Sequence, residues 1–220
     1  MPTIVSIEKL INHPHIWQGA DSQSPNIVHS TGFKELDDHL PGGGWPTATL
    51  TEIVLASYGI GELSLLMPVL ARLSRPQDLG LAARWILWVA PPFIPYAPAL
   101  SRHGIDLTRM LFVHAAPSHQ DSLWAMEQAL RAGSCAVVLA WVQSADETAL
   151  RRLQLAAEEG CCWAVLFRPK TALRQRSPAA LKLQLLREGE MTRVEILKCR
   201  GGRPGVIRIR CSDAGDAEWR

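Results

Sequence analysis

The sequence predicts an α/β fold: a mostly parallel sheet flanked by helices, followed by a C-terminal antiparallel hairpin extension. Three observations predict it. Short apolar runs alternate with helix-length segments from Leu50 to Phe167, the order that βαβ units produce. The runs are apolar almost throughout rather than every second residue, as strands covered on both faces are. Beyond residue 180 the pattern changes to apolar and polar residues in alternation around Glu188-Gly189-Glu190, a hairpin signature.

Residues 1–30 read as an N-terminal arm and linker, with a short amphipathic helix at Val5–Ile11 and then a stretch from Trp17 to Ser30 rich in Gly, Ser, Pro and Asn. The single domain spans 31–212. It opens with a short helix over Ser30–Asp37, capped by its hydroxyl start, with Phe33, Leu36 and Leu40 on one side; Pro41 to Pro46 stops it. Strand Leu50–Leu55 leads to helix Gly61–Leu73, strand Trp85–Ala90 to helix Tyr96–Arg102, and strand Met110–His114 to helix Gln120–Ala132. In that last helix Leu123, Met126, Glu127 and Leu130 fall at helical spacing. Strand Ala136–Trp141 leads to helix Asp146–Glu158, and Cys161–Phe167 is a fifth strand. Strands Ala180–Arg187, Thr192–Lys198 and Val206–Arg210 form the extension, and 213–220 is a flexible acidic tail.

A chain of 220 residues with 47% hydrophobic composition is long enough for one substantial core. Its 23 Lys and Arg nearly balance 21 Asp and Glu, so net charge does not predict nucleic-acid binding and only local clusters can argue for it. Five cysteines without a CxxC pair, behind an N-terminus without a secretory pattern, suit buried thiols in a reducing cytoplasm. No segment is apolar for long enough to cross a membrane. His13-Pro14-His15 has no acidic or thiol partner nearby and reads as a linker; no metal and no cofactor are expected.

The segment Ala56-Ser57-Tyr58-Gly59-Ile60-Gly61-Glu62-Leu63 lies between a strand and a helix, where a phosphate-binding loop lies. That pattern is Gly, four residues, then Gly-Lys-Ser/Thr, and here the positions read Ala56, Gly61, Glu62 and Leu63. A carboxylate stands where a lysine would meet the β and γ phosphates. At an effective dielectric near 20, unit charges about 4 Å apart interact by roughly 4 kcal/mol, so attraction turned to repulsion costs up to about twice that. Ordinary triphosphate binding is not expected. The segment is equally readable as a plain strand-turn-helix with a Gly-rich turn.

Ser30-Thr31-Gly32-Phe33-x-x-Leu36-Asp37, the glycine run Gly42 to Gly44 before Pro46, the strand carrying Thr51-Glu52-Ile53 and the P-loop position together resemble the ATPase core of the RecA recombinase family. Leu40-Pro41-Gly42-Gly43-Gly44-Trp45-Pro46 followed by Gly59-Ile60-Gly61-Glu62-Leu63 is similar to the ImuA family, the small RecA-like proteins of bacterial SOS mutagenesis operons, often grouped with SulA-like cell-division inhibitors. The resemblance spans about residues 28–210. It implies a strand-end acid for magnesium where Ala140 stands, and a water-activating glutamate where Ala90-Pro91-Pro92-Phe93 has none. With the phosphate cradle, metal acid and water activator all missing, the resemblance implies a pseudo-ATPase. It further implies a non-catalytic accessory role in SOS-induced translesion DNA synthesis, with an ImuB-type polymerase-like protein and RecA as partners and an error-prone DNA polymerase and DNA as further contacts. Two alternatives stand beside it. One is a SulA-like cell-division inhibitor binding FtsZ; the other is a divergent ATPase in which Lys34, Arg72 or another cation replaces the lysine.

A non-catalytic reading moves function to surfaces. Lys198, Arg200, Arg203, Arg208 and Arg210 fall within thirteen residues that hold no acid, with Arg208 and Arg210 on one strand face and Ile207 and Ile209 on the other. They form either a track for DNA phosphates or a charge-protected edge hairpin. Arg168, Lys170, Arg174 and Arg176 follow the fifth strand, where the resemblance implies a mobile loop meeting DNA or a partner; composition alone gives a solvated loop. Trp85, Trp88, Trp141 and Trp163 read as core, and Trp17, Trp45, Trp124 and Trp219 as candidate interface residues.

Overall fold

The computed structural model describes residues 28–75, 84–114 and 119–210. The expected helix at Val5–Ile11, Trp17, Trp219, His13, His15, Cys211 and the acidic tail lie outside the described residues. The chain runs β1 (Val28–His29), α1 (Lys34–Asp37), β2 (Trp45–Pro46), β3 (Leu50–Leu55), α2 (Glu62–Ser74), β4 (Trp85–Val89), α3 (Ala97–Arg102), β5 (Met110–Val113) and α4 (His119–Arg131). It continues through β6 (Cys135–Trp141), α5 (Glu147–Glu159), β7 (Trp163–Pro169), β8 (Leu181–Glu188), β9 (Met191–Cys199) and β10 (Gly205–Ile209).

Eight strands form one mixed, mostly parallel sheet in the order β10-β9-β8-β3-β7-β6-β4-β5. From β8 to β5 the neighbours are parallel, and β8-β9 and β9-β10 are antiparallel. β3 therefore sits inside the sheet between β7 and β8, and every one of its residues is buried. The βαβ order and the late change to a hairpin agree with the sequence pattern, strand for strand.

The parallel strands β3, β4, β6 and β7 are covered on both faces. One cluster joins Leu65, Leu66, Val69 and Leu70 of α2 to Ile53, Ile86, Leu139 and Val165. The other joins Met126 and Leu130 of α4 and Leu150 and Leu153 of α5 to Leu87, Val138, Ala140 and Leu166. Successive residues of β7, and of β6 from Val137 to Trp141, go to opposite clusters, the two-residue period of a strand. In the extension only the α2 side is filled, by Leu183, Leu185, Val194, Ile196, Ile207 and Ile209; a sheet with one wet face alternates in sequence.

Local chemistry fixes the joints. Asp146 caps α5 by accepting from the Ala149 amide at 2.7 Å, and Gly160 ends the helix. The hydroxyl start expected for the first helix caps the turn ahead of it instead: Thr31 Oγ1 accepts from the Phe33 amide at 3.0 Å, and the N-cap position of α1 has no side-chain bond. Asp37 ties that turn back, accepting from Ser30 Oγ at 2.6 Å and the Thr31 amide at 2.7 Å. Gly32, at φ +87°, lies so close to Pro68 of α2 that a Cβ would stand 2.5 Å from the proline ring. A short ladder between β1 and β2, absent from the sequence reading, seats Trp45 fully buried against Trp163, with ring centroids 5.4 Å apart.

Candidate functional site: the loop after the central strand and the basic rim

The loop after β3 turns on glycines with positive φ, Gly59 at +81° and Gly61 at +104°, conformations that side chains rarely adopt. Its amides converge on one acceptor. Glu62, the first residue of α2, is buried, and its carboxylate accepts from the Gly59 amide at 2.8 Å and from the Ile60 amide at 2.9 Å, one bond to each oxygen. Backbone N–H groups at a helix start are the parts from which anion sites are made, and here a side chain of the same loop takes them. Glu62 therefore does more than lack the charge of a lysine: it is the loop's own anion. Ala56 is exposed and Leu63 half-buried at the core edge.

Gln143, beyond the end of β6, donates from Nε2 to the Tyr58 hydroxyl at 2.6 Å and ties the loop to the next rim segment. Tyr58 and Ile60 pack on the α2-side core with Trp141, whereas Ala140 is fully buried in the cluster under α4 and α5. Residue 140 thus lies on the sheet face opposite the loop. The cations named as stand-ins for the lysine do not reach the loop. Lys34 is exposed and pairs with Asp38 at 2.9 Å. Arg72 donates to the Ser30 carbonyl and lies about 15 Å along the helix from Glu62 at 1.5 Å per residue. Lys170 leaves the sheet directly after Pro169, which lies opposite Leu55 on one side, and Arg187 lies two residues past Leu185, which lies opposite Leu55 on the other.

The basic segment after β7 is not a free loop. Residues Lys170–Arg174 form a 3-10 helix, and Arg168, expected among the contact residues, is only 1% exposed. Its guanidinium donates to Glu52 Oε2 at 3.1 Å, to the Ala145 carbonyl at 2.9 Å and to Gln175 Oε1 at 2.7 Å. Glu52, fully buried on β3, also accepts from the Ser177 hydroxyl. Lys182, opposite Glu52 on β8, donates to the Ala172 and Gln175 carbonyls at 2.7 and 2.9 Å. Burial pushes the Lys182 pKa below the ordinary lysine value; Glu52 pulls it back up, and Arg168 and Lys198 lower it. Arg168 is a structural ion-pair partner, because a guanidinium inside a sheet must be paired to be tolerated. Lys170, Arg174 and Arg176 remain exposed on the rim that this network holds.

In the second basic cluster three cations pair with acids from elsewhere in the fold, Glu188 at the end of β8, Glu190 in the β8–β9 turn and Glu158 on α5. Arg208 pairs with Glu188 at 2.9 Å, Arg210 with Glu190 at 3.8 Å and Arg200 with Glu158 at 4.0 Å. Lys198 donates to the Ser177 carbonyl at 2.7 Å, while Arg203 is exposed. Val206 and Arg208 face solvent and Ile207 and Ile209 the core, as the alternation predicts. Of the tryptophans expected at an interface, Trp124 is exposed on α4, and Trp45 is core. Trp88 and Trp163 are buried as expected, Trp141 stacks on Phe167 with ring centroids 4.6 Å apart, and Trp85 lies under the Arg109 guanidinium.

Sequence reasoning passed over Glu52 as a buried charge, Gln143 as a tether and the rim residues Phe93, Ile94 and Tyr96, which are all exposed. The first had a signal: a lone carboxylate inside an apolar run that becomes a central strand needs a partner. Among the described residues no group of three or more His, Cys, Asp and Glu could hold a metal ion, and no helix is long and apolar enough to cross a membrane.

Residues 49–164, just over half of the chain, match the family described as cell division inhibitor SulA. The chain is 29% identical to Protein ImuA of Caulobacter vibrioides, over 89% of this chain and 88% of that one. It is 34% identical to the cell division inhibitor SulA of Edwardsiella piscicida over 51% of this chain, a match that spans 65% of that relative's length. Among solved structures, SulA from Pseudomonas aeruginosa is 31% identical, with a TM-score of 0.46 over 56% of this chain and 99% of that one. The matched family region begins one residue before β3 and ends inside β7, so it contains the Glu62 loop and stops short of the basic rim. This chain belongs to the ImuA/SulA-like family.

Proposed function

We propose that this protein is a non-hydrolysing accessory factor of SOS-induced translesion DNA synthesis and mutagenesis, working through protein contacts on a degenerate RecA-like core. Its partners in this reading are an ImuB-type polymerase-like protein and RecA, with an error-prone DNA polymerase and DNA as further contacts. The observation that carries it is the extent of the ImuA similarity. That match leaves only about a tenth of the chain uncovered, so it runs beyond the region shared with the SulA family model into the β8–β10 extension. A buried central strand, the Gly-rich turn and the helix after it support the RecA-like reading of the core. The Glu62 carboxylate on the loop amides supports the absence of phosphoryl transfer.

Co-purification of the full chain with an ImuB-type protein and with RecA tests this. Complexes at micromolar concentration are expected, together with loss of damage-induced mutagenesis when the gene is deleted. Failure to bind either partner removes the reading.

The family model favours a second reading, inhibition of cell division through FtsZ. Overexpression in undamaged cells separates the two, since filamentation follows from the second reading and normal division from the first.

A further inference from the structure

On the side away from α2 the sheet is covered in two ways. Over β4, β6 and β7 the cover is apolar, since α4 and α5 sink Met126, Leu130, Leu150 and Leu153 into the core. Beside it, over Glu52 of β3 and Lys182 of β8, the cover is polar. Lys198, Lys182 and Glu52 stand in register on β9, β8 and β3, and Arg168 of β7 bonds to Glu52 from the other side. Their chain neighbours Leu181, Leu183, Ile53 and Phe167 belong to the α2 side, so the pleat turns this charged row the opposite way.

Residues 170–178 cross the row, and the row holds them by hydrogen bonds. Lys182 donates to the Ala172 and Gln175 carbonyls at 2.7 and 2.9 Å, Lys198 to the Ser177 carbonyl at 2.7 Å and Arg168 to Gln175 Oε1 at 2.7 Å, while the Ser177 hydroxyl donates to Glu52. Apolar contact adds little. Of residues 170–178 only Ala172 is buried, and it joins neither core cluster. The two kinds of cover therefore differ in what release costs. Lifting a helix exposes leucines to water, whereas lifting 170–178 replaces hydrogen bonds to protein by hydrogen bonds to water, which changes the free energy little. Release also hydrates the Lys182 ammonium, only 5% exposed and directly opposite another ammonium, a pairing of like charges that a sheet disfavours. The Arg168–Glu52 pair lies within the sheet and stays made.

We propose that residues 170–178 are a latched strap that opens as a unit while the rest of the fold stays closed, with Lys182, Lys198, Arg168 and Glu52 as the latch. Local opening of this kind occurs in segments with few buried apolar contacts. Pro169 and Pro178, each fixed in φ, bound the strap and confine the change to it. Opening moves Lys170, Arg174 and Arg176 together and uncovers Lys182, so the strap switches the rim between two arrangements of charge. The proposal does not depend on the role in mutagenesis.

Acylation of lysines in the full chain by a small water-soluble succinimidyl ester, read residue by residue by mass spectrometry, tests it. Lys34, whose side chain is 86% exposed, is the reference for free access, and hydrogen exchange of the β6 amides measures global opening. Lys182 is expected to be protected at least about tenfold relative to Lys34, yet at least about tenfold less than the β6 amides. Gln175→Ala, at an exposed position, removes one strap bond and is expected to speed Lys182 labelling by up to about tenfold, the weight of one hydrogen bond, with the unfolding midpoint unchanged. Ser177→Ala acts in the same direction. Protection of Lys182 equal to that of the β6 amides overturns the proposal, because the strap is then part of the core. Labelling as fast as Lys34 overturns it too, since no latch then holds, and so does labelling of Lys182 that neither variant speeds.

Discussion

Two buried glutamates stand at two places on β3 and its following helix, and the protein satisfies them in different ways. Glu52 lies within the sheet, meets a guanidinium and a hydroxyl, and stands in register with Lys182, whose ammonium bonds the Ala172 and Gln175 carbonyls. Glu62 lies at the rim and meets two backbone amides of its own loop. The first arrangement ties β3 to the segment after β7 and fixes where the basic rim sits. The second closes a loop on itself. Charge in the middle of the sheet therefore serves long-range assembly, and charge at the rim serves local shape.

Glu52→Gln breaks the stronger side of the comparison. It leaves Arg168 buried without its carboxylate, and removing one partner of a buried pair costs about 3–5 kcal/mol. Thermal and denaturant unfolding are expected to register that loss, and a variant within about 1 kcal/mol of the parent would put the pair outside the load of the fold. Glu62→Ala is the next largest. It leaves the Gly59 and Ile60 amides without their acceptor; Gly59 is exposed and Ile60 half-buried, so water replaces the acceptor in part and the loss is about 1 kcal/mol. Exchange of those two amides checks it, and Glu62→Gln, which keeps acceptor oxygen, is expected to fall between Ala and the parent.

Gln143→Ala sharpens the comparison on the rim. It removes one side-chain hydrogen bond to Tyr58, a loss of about 1 kcal/mol or less, and frees the loop more than it weakens the fold. Faster exchange confined to the Tyr58–Gly61 amides is the expected signature. The smallest effect is a pH dependence. Because burial lowers the Lys182 pKa in the folded chain, the unfolded chain holds more protons between that lowered value and the ordinary lysine value. Stability contributed at this site therefore rises with pH across that window. Unfolding titrations on the parent and on Lys182→Met check it, the slope being expected only in the parent.

The architecture was legible because each half of the sheet writes its burial into sequence. Strands β3, β4, β6 and β7 are covered on both faces and read as apolar runs, while β8 to β10 have one filled face and alternate. Trp45 was misjudged because nothing near it in sequence announces that β1 will pair with β2 and seat it against Trp163. Arg168 was placed among surface cations for a similar reason: its partner lies 116 residues away. The cluster at Lys198–Arg210 looked unopposed in a linear count, although the hairpin that carries it brings Glu188 and Glu190 alongside Arg208 and Arg210. The Gly-rich loop was visible as a pattern, but the Glu62 carboxylate as its internal ligand needed the positions of the amides. Ala140 was read by alignment along a strand, and only the pleat shows that it lies on the face away from the loop.

The central claim is that the loop after β3 is occupied by its own carboxylate and does not take a nucleoside triphosphate. Calorimetric titration of ATP with magnesium into the full chain tests it most directly, with Lys170→Ala measured alongside because Lys170 follows Pro169, the partner of Leu55 at the end of β3. The account predicts no saturable binding up to millimolar nucleotide, in the parent and in the variant alike. Saturable binding at micromolar concentration that Lys170→Ala abolishes would contradict it.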